Sequence, residues 1–236
     1  MSVSIIIPTL RRPESLARAV KSALAQRSCA PELLEVVVVD NSPEGSAAEG
    51  VERLSALAVL PIVYVHAPRP GVATARNAGL AAARGELIAF LDDDEEAPAG
   101  WLAALLATHR EHAADVTFGR IVGRAPDAPA WAASYLEGLF SREGPESSGP
   151  IDQAYGCGNS LMTRATALPA ASPFDTGYDE IGGEDDVLFR SLAAQGRRFA
   201  WSREAWVYEH APAHRATIDY ALRRAFAYGQ SPCQAA

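Results

Sequence analysis

One pattern constrains this chain more than any other: a short β-branched apolar run, a turn and a segment with helical spacing, repeated four times through the first half. VSIIIP at 3–8 is followed by a helical pattern over 14–27, LEVVVVD at 34–40 by one over 45–57, IVYVH at 62–66 by one over 72–84, and ELIAFLD at 86–92 by one over 99–112. Runs such as Val36 to Val39 show no polar alternation, so both sides of these strands must be covered. Such strands, separated by helices, predict a parallel sheet sandwiched between helical layers. The second half is less regular, with strand candidates at 115–123, 156–163 and 198–207 and helices near 130–140, 184–195 and 215–228. Its Ser/Pro/Gly/Glu-rich stretch 141–149 reads as a mobile loop, either a flap over a site or a disordered connection. With no second core, the economical organisation is one domain over 1–236, divided into a first half, 1–112, and a second half, 113–236, that ends in a helix.

Composition narrows what such a fold could do. At 236 residues, net charge −8, 48% hydrophobic and 21% charged, the chain excludes disordered, collagenous and coiled-coil classes. No apolar run approaches the roughly 20 residues of a membrane-spanning helix, and Met1 leads directly into a strand pattern, which predicts a cytoplasmic protein. Cys29, Cys157 and Cys233 lie in no CxxC or Cys/His cluster and read as reduced thiols. Lys21 is the only lysine and sits in mid-helix pattern, so neither a P-loop nor a Schiff base is expected. The acidic balance argues against a nucleic-acid partner. A phosphorylated ligand would need a metal or a few placed arginines.

In open sheets of this class, ligands bind beyond the carboxyl ends of the strands. Here those ends are Pro8-Thr9-Leu10, Asp40-Asn41-Ser42, His66-Ala67 and Asp92-Asp93-Asp94. Turn-making and helix capping explain any one of them; several together at one sheet edge favour a site. Asp92, Asp93 and Asp94 continue into Glu95 and Glu96, and their mutual repulsion is relieved if a hard cation, Mg²⁺ or Mn²⁺, binds there. In extended chain Asp92 and Asp94 point the same way. Gly71 to Gly79 forms a turn-to-helix junction that carries Arg76, a combination suited to a diphosphate and equally to close packing on the sheet. Glu184, Asp185 and Asp186 follow Gly182-Gly183 at a helix start, where they either cap the helix or supply a general base. His210 ends the run AWVYE and could complete a metal site, whereas His109 and His112 lack carboxylate company and read as structural.

Taken in order, SIIIPTL, VVVVDNS, GVATARNAGLAAARGELIAFLDDDEEAPAGWL, GNSLMTR, FDTGYDEIGGEDDVLFRSLAAQG and WVYEH resemble the family 2 glycosyltransferases over nearly the whole chain, with DDDEEAP similar to the bacterial polysaccharide-assembly branch. The resemblance implies an α/β GT-A fold, a single domain with a Rossmann-like, mostly parallel central sheet flanked by helices. It also implies a nucleoside-diphosphate sugar as donor, weakly favouring UDP, and a glycan or lipid-linked acceptor. By that resemblance Pro8, Thr9, Leu10 and Asp40 surround the nucleotide, with Thr9 and Asp40 on the base, and Arg76 approaches ribose or phosphates. Asp92 and Asp93 belong to the donor site. Asp94 binds Mn²⁺ or Mg²⁺ with His210 and, in one assignment of the triad, Asp92. Asp185 is the general base with Glu184 beside it, and Gly158 and Asn159 line the sugar pocket. The implied reaction is an inverting single displacement. Two alternatives are a sugar nucleotidylyltransferase, which would need a Gly-rich basic loop where Pro8-Thr9-Leu10-Arg11-Arg12 stands, and a silent nucleotide-sugar-binding subunit. The stretch 215–228 pairs Arg223 and Arg224 with Leu222, Phe226 and Tyr228; packing on the body is its first reading, and contact with the inner face of a membrane or a lipid-linked acceptor its second.

Overall fold

The computed structural model describes residues 1–28 and 32–234, with side chains placed through residue 226. Cys29 and the side chains of Tyr228 and Cys233 lie outside the described residues; Cys157 is a buried free thiol. The four sequence repeats form β1 (Val3–Thr9), α1 (Pro13–Leu24), β2 (Leu33–Asp40), α2 (Ala48–Ser55), β3 (Ile62–His66), α3 (Val72–Ala82), β4 (Leu87–Phe90), a two-residue β5 (Glu95–Glu96) and α4 (Trp101–Glu111). The second half continues with β6 (Val116–Arg124), α5 (Ala133–Leu139), β7 (Gly149–Ile151), β8 (Ser160–Thr163), α6 (Arg164–Ala167), a 3₁₀ turn at Thr176–Tyr178, α7 (Glu184–Ala194), β9 (Phe199–His210) and α8 (Ile218–Gln234).

One sheet runs through both halves in the order β3-β2-β1-β4-β8-β6-β9-β5, with β7 also on β9. β3, β2, β1 and β4 are parallel, as is the β6–β9 pair, while β8 is antiparallel to both of its neighbours. The unbroken apolar runs are explained by the pleat. Ile5, Ile7, Val36, Val38, Leu87 and Ala89 face the core under α1 and α4, whereas Ile6, Val37, Val39, Ile88 and Phe90 face the core under α3 and α7. A strand buried on both faces has no position left for polar alternation.

His109, on α4, fastens that helix to the sheet: Nδ1 lies 2.9 Å from Thr117 Oγ1 and Nε2 2.9 Å from Thr163 Oγ1. Burial brings its pKa down to about 4, with Arg110 acting in the same direction and Asp115 opposing. Its structural reading stands. The stretch 141–149 differs from the expected flap or disordered connection. Arg142 exchanges backbone hydrogen bonds with Ile121 at 2.9 and 3.0 Å, and the stretch ends by entering β7 alongside β9. Its polar composition reflects an edge segment held by backbone pairing rather than by an apolar face. In α8, Ala221 is buried and the Tyr220 ring stacks on Phe140 at 6.0 Å, while Leu222 and Phe226 are exposed. No helix among the described residues is long and apolar enough to cross a membrane.

Candidate active site

From β1 the chain passes to β2 and β3 on one side and then returns to β4 on the other, so the strand order reverses between β1 and β4. Such a reversal leaves a crevice beyond the strand ends. The pairing itself opens it: β4 matches β1 only as far as Phe90 opposite Ile6, whereas β1 continues beside β2 to Thr9. Pro8 falls where β4 has stopped, so its missing N–H costs no ladder bond. A cavity of about 650 Å³ occupies this crevice, lined among others by Thr9, Asn41, Arg76, Asp92, Asp94 and Asp179. Pro8, Leu10 and Asp93 of the expected set are also on its wall; Asp40, Gly158 and Asn159 are not.

Asp92 to Asp94 do not continue β4. They form a turn closed by Glu95 N–H on Asp92 O at 3.0 Å, so extended-chain alternation does not apply. The turn sends Asp93 and Asp94 to Arg12, whose Nη1 donates to Asp93 Oδ1 at 2.9 Å and Asp94 Oδ2 at 2.8 Å, while Thr9 Oγ1 donates to Asp93 Oδ2 at 2.7 Å. Asp92 faces the other way, 3.9 Å from Arg76 Nη2. Arg76 is buried on the first turns of α3; its Nη1 donates to Glu184 Oε1, and its guanidinium lies 5.5 Å over the Phe174 ring. Burial opposes the Arg76 charge, but Asp92, Glu184 and Asp185 hold its pKa above the ordinary arginine value. Glu184 and Asp185 open α7, where the helix dipole favours negative charge. Asp185 Oδ2 accepts from Cys157 N–H at 3.0 Å and Oδ1 from Asp186 N–H at 3.0 Å.

The acids of the turn are poorly compensated. Burial raises the pKa of Asp92, Asp93 and Asp94; Asp94 adds to the effect on Asp92 and Asp93 to that on Asp94, against the opposing pull of Arg76 and Arg12. Glu95 is pushed well up by burial and by Asp92, and its Oε1 has no hydrogen-bond partner among the described residues. Glu209 is raised to about 8 by burial, Asp94 and Asp92. Gly158 makes room for this crowd: a Cβ there would sit 2.4 Å from Asp92 Oδ2.

Three expectations need correction. Asp40 has no exposed surface and does not line the cavity. Its Oδ1 accepts from Ser42 N–H at 3.0 Å and Ser42 Oγ at 2.7 Å, and its Oδ2 from Ala47 N–H at 2.6 Å and Tyr64 OH at 3.1 Å. A carboxylate so occupied holds its own loop and has no edge to offer a base. Asn159 is likewise fully buried: Oδ1 accepts from Trp101 Nε1 at 2.7 Å, and Nδ2 donates to Arg120 O at 2.7 Å and Ala205 O at 2.9 Å. It ties β8 to its neighbours and lines no sugar pocket. The start of α3, expected to suit a diphosphate, is filled by Asp179, which accepts from Thr74 N–H at 3.0 Å and Thr74 Oγ1 at 2.5 Å. Gly71 is needed for this approach, since a Cβ there would lie 2.1 Å from Asp179 Cγ.

His210 is brought to the acidic turn by backbone pairing, its N–H donating to Asp94 O at 2.9 Å, but its Nε2 lies 3.0 Å from Glu96 Oε2. Sequence reasoning missed Arg12, Arg142, Glu209 and Asp179. Arg12 carried a signal, a basic pair directly after the first strand end; Asp179 and Glu209 lie inside the quoted FDTGYDE and WVYEH motifs but were not singled out there, and Arg142 lies in none.

The comparisons with known proteins decide the family. Residues 4–168 match the family described as Glycosyl transferase family 2. This chain belongs to glycosyl transferase family 2. Within family 2, it is 36% identical over 233 residues to the succinoglycan biosynthesis protein ExoM of Rhizobium meliloti (strain 1021), covering 98% of this chain and 74% of that protein. It is 30% identical over 244 residues to validoxylamine A glucosyltransferase of Streptomyces hygroscopicus subsp. limoneus, covering 92% of this chain and 54% of that protein. The crystal structure of S. aureus TarS in complex with UDP-GlcNAc superposes with a TM-score of 0.69 at 20% identity, over 90% of this chain and 59% of that one, and shows the shared fold. The family 2 chain described here thus spans between half and three quarters of the length of these relatives.

Proposed function

We propose that this chain performs metal-assisted, inverting transfer of a sugar from a nucleoside-diphosphate donor, a UDP-sugar in the first instance, to a hydroxyl of a glycan or lipid-linked acceptor. The observation that carries the reading is the convergence at the β1/β4 crevice: Asp92 and Asp94 on the cavity wall, Arg76 between Asp92 and Glu184, and Asp185 close enough for its charge to act on both Arg76 and Asp92. The names of the relatives support it, as does the UDP-GlcNAc complex of TarS. In this reading 1–112 is the donor half and 113–236 the acceptor half.

The donor set fits a divalent cation. Carboxylates with raised pKa values surround the acidic turn, and Arg12 and Arg76 do not neutralise them. Among the described residues no three His, Cys, Asp or Glu side chains are grouped to hold a metal ion, so phosphate oxygens and water would have to supply the remaining ligands. Mn²⁺ or Mg²⁺ bound by Asp94 and Asp92, with His210 exchanged from Glu96, would neutralise charge on the leaving diphosphate.

The chain's own residues do the rest. Arg76, kept charged by its acidic neighbours and on the cavity wall, would offset the charge that a diphosphate in that cavity accumulates. Glu184 fixes that guanidinium. Asp185, with two backbone N–H groups on its oxygens, keeps lone pairs for the acceptor hydroxyl and takes its proton as that oxygen attacks the anomeric carbon. The bond to the diphosphate breaks with its electron pair going to the phosphate oxygen, and a single displacement inverts the centre. The test is UDP release from UDP-glucose, UDP-galactose and UDP-GlcNAc with Mn²⁺, using simple sugars or water as acceptor. Turnover of one donor that is lost in Asp185→Asn supports the reading, and silence across all three with full folding contradicts it.

A further inference from the structure

Resting on Asp185 as the general base, we propose that Arg142 is its positioning residue, acting through the peptide between Gly156 and Cys157. Arg142 belongs to none of the motifs that carry the family resemblance. Its backbone is fixed beside Ile121 in the sheet, so its guanidinium projects from a rigid support. Nη1 donates to Gly156 O at 2.6 Å, and Nη2 donates to Gly158 O. The Gly156 carbonyl and the Cys157 N–H are two ends of one planar amide, and in a trans peptide they point in opposite directions. Arg142 therefore grips the oxygen of the amide whose N–H is donated to Asp185 Oδ2 at 3.0 Å. Hydrogen bonds at both ends of one amide polarise each other. The second arm of the fork, on Gly158, fixes the chain on the far side of Cys157. Gly156 confirms how close the two groups come: a Cβ on it would lie 3.6 Å from Asp185 Oδ2 and 3.7 Å from Arg142 Nη1.

Arg142 also opposes the charges of Glu95, Asp92 and Glu209. Charge and fork can be separated, because lysine keeps the first and lacks the second. Arg142→Lys and Arg142→Gln, the latter keeping one amide donor without the charge, are compared with wild type and with the same changes in an Asp185→Asn background. The readout is UDP release from the UDP-sugar that the protein turns over, with folding checked by thermal midpoint. Arg142→Lys should lower kcat on the order of tenfold or more, a fraction of what general-base assistance contributes, with donor KM unchanged. In the Asp185→Asn background Arg142→Lys should cost nothing further, while Arg142→Gln reads the separate loss of its charge beside Glu95, Asp92 and Glu209. Multiplying losses, or a wild-type kcat, in Arg142→Lys would overturn the positioning role. Full activity in Asp185→Asn itself would instead remove the base on which it rests.

Discussion

Asp40 and the Asp92–Asp94 turn stand at the ends of β2 and β4, the two strands that flank β1, yet they are opposite electrostatic objects. Burial works to raise the Asp40 pKa, but hydrogen bonds from Ala47, Ser42 and Tyr64 outweigh it and hold the carboxyl below the usual range. At the β4 turn burial wins, and the pKa values of all three aspartates move up. A buried acid whose donors are supplied by its own loop is part of the scaffold. One left short of donors and cations stores a cost that a ligand can relieve. Strand-end position alone does not separate the two cases; the inventory of hydrogen bonds does.

Substitutions can break this contrast. The largest effect belongs to the site itself: Asp185→Asn should lose roughly 10²–10⁴-fold in kcat with donor KM and thermal midpoint preserved. At Asp40 the change should appear in stability. Removing a fully buried carboxylate that accepts from Ser42, Ala47 and Tyr64 should cost about 3 kcal/mol in Asp40→Ala, read by urea denaturation. The same experiment on Asp94→Asn should give the opposite sign, a gain on the order of 1 kcal/mol in metal-free protein, because a repelled charge is removed while Arg12 keeps Asp93. Equal destabilisation in both would erase the distinction.

A pH series sharpens the scaffold side. His109 is buried and neutral with its pKa lowered to about 4, from 6.5 in the unfolded chain. Between those values the unfolded state binds the extra proton, so stability is complete above pH 6.5 and falls as pH drops towards 4. At about 1.4 kcal/mol for each pH unit that the pKa moves, the loss is roughly 3 kcal/mol. His109→Gln should flatten that part of the profile, and an unchanged slope would assign it elsewhere.

The sheet was readable because Val36 to Val39 and the neighbouring runs record burial on both faces, a property of each run by itself. The acidic turn was readable as a cluster for the same reason: five acids in sequence need an explanation wherever they fold. Asp40 and Asn159 misled because residue type shows capacity for hydrogen bonds, not how many the fold already uses. Arg142 lies outside every sequence motif, while Asp179 and Glu209 lie inside FDTGYDE and WVYEH with nothing there to mark them apart from their neighbours. Each comes from a separate segment, Asp179 alone of the three lining the crevice, and Arg142 lies in the stretch 141–149 whose composition suggests mobility while its backbone is paired to β6. The α3 start shows the same limit, because Asp179 arrives there from 105 residues away.

The central claim is that the acids of the β4 turn are held for a cation that arrives with diphosphate. Calorimetric titration of UDP into the protein, with Mn²⁺ and then with EDTA, tests it most directly. Binding that requires Mn²⁺, and disappears in Asp94→Asn while Asp40→Asn retains it, is the predicted result. Equal UDP affinity with Mn²⁺ and with EDTA would contradict the account.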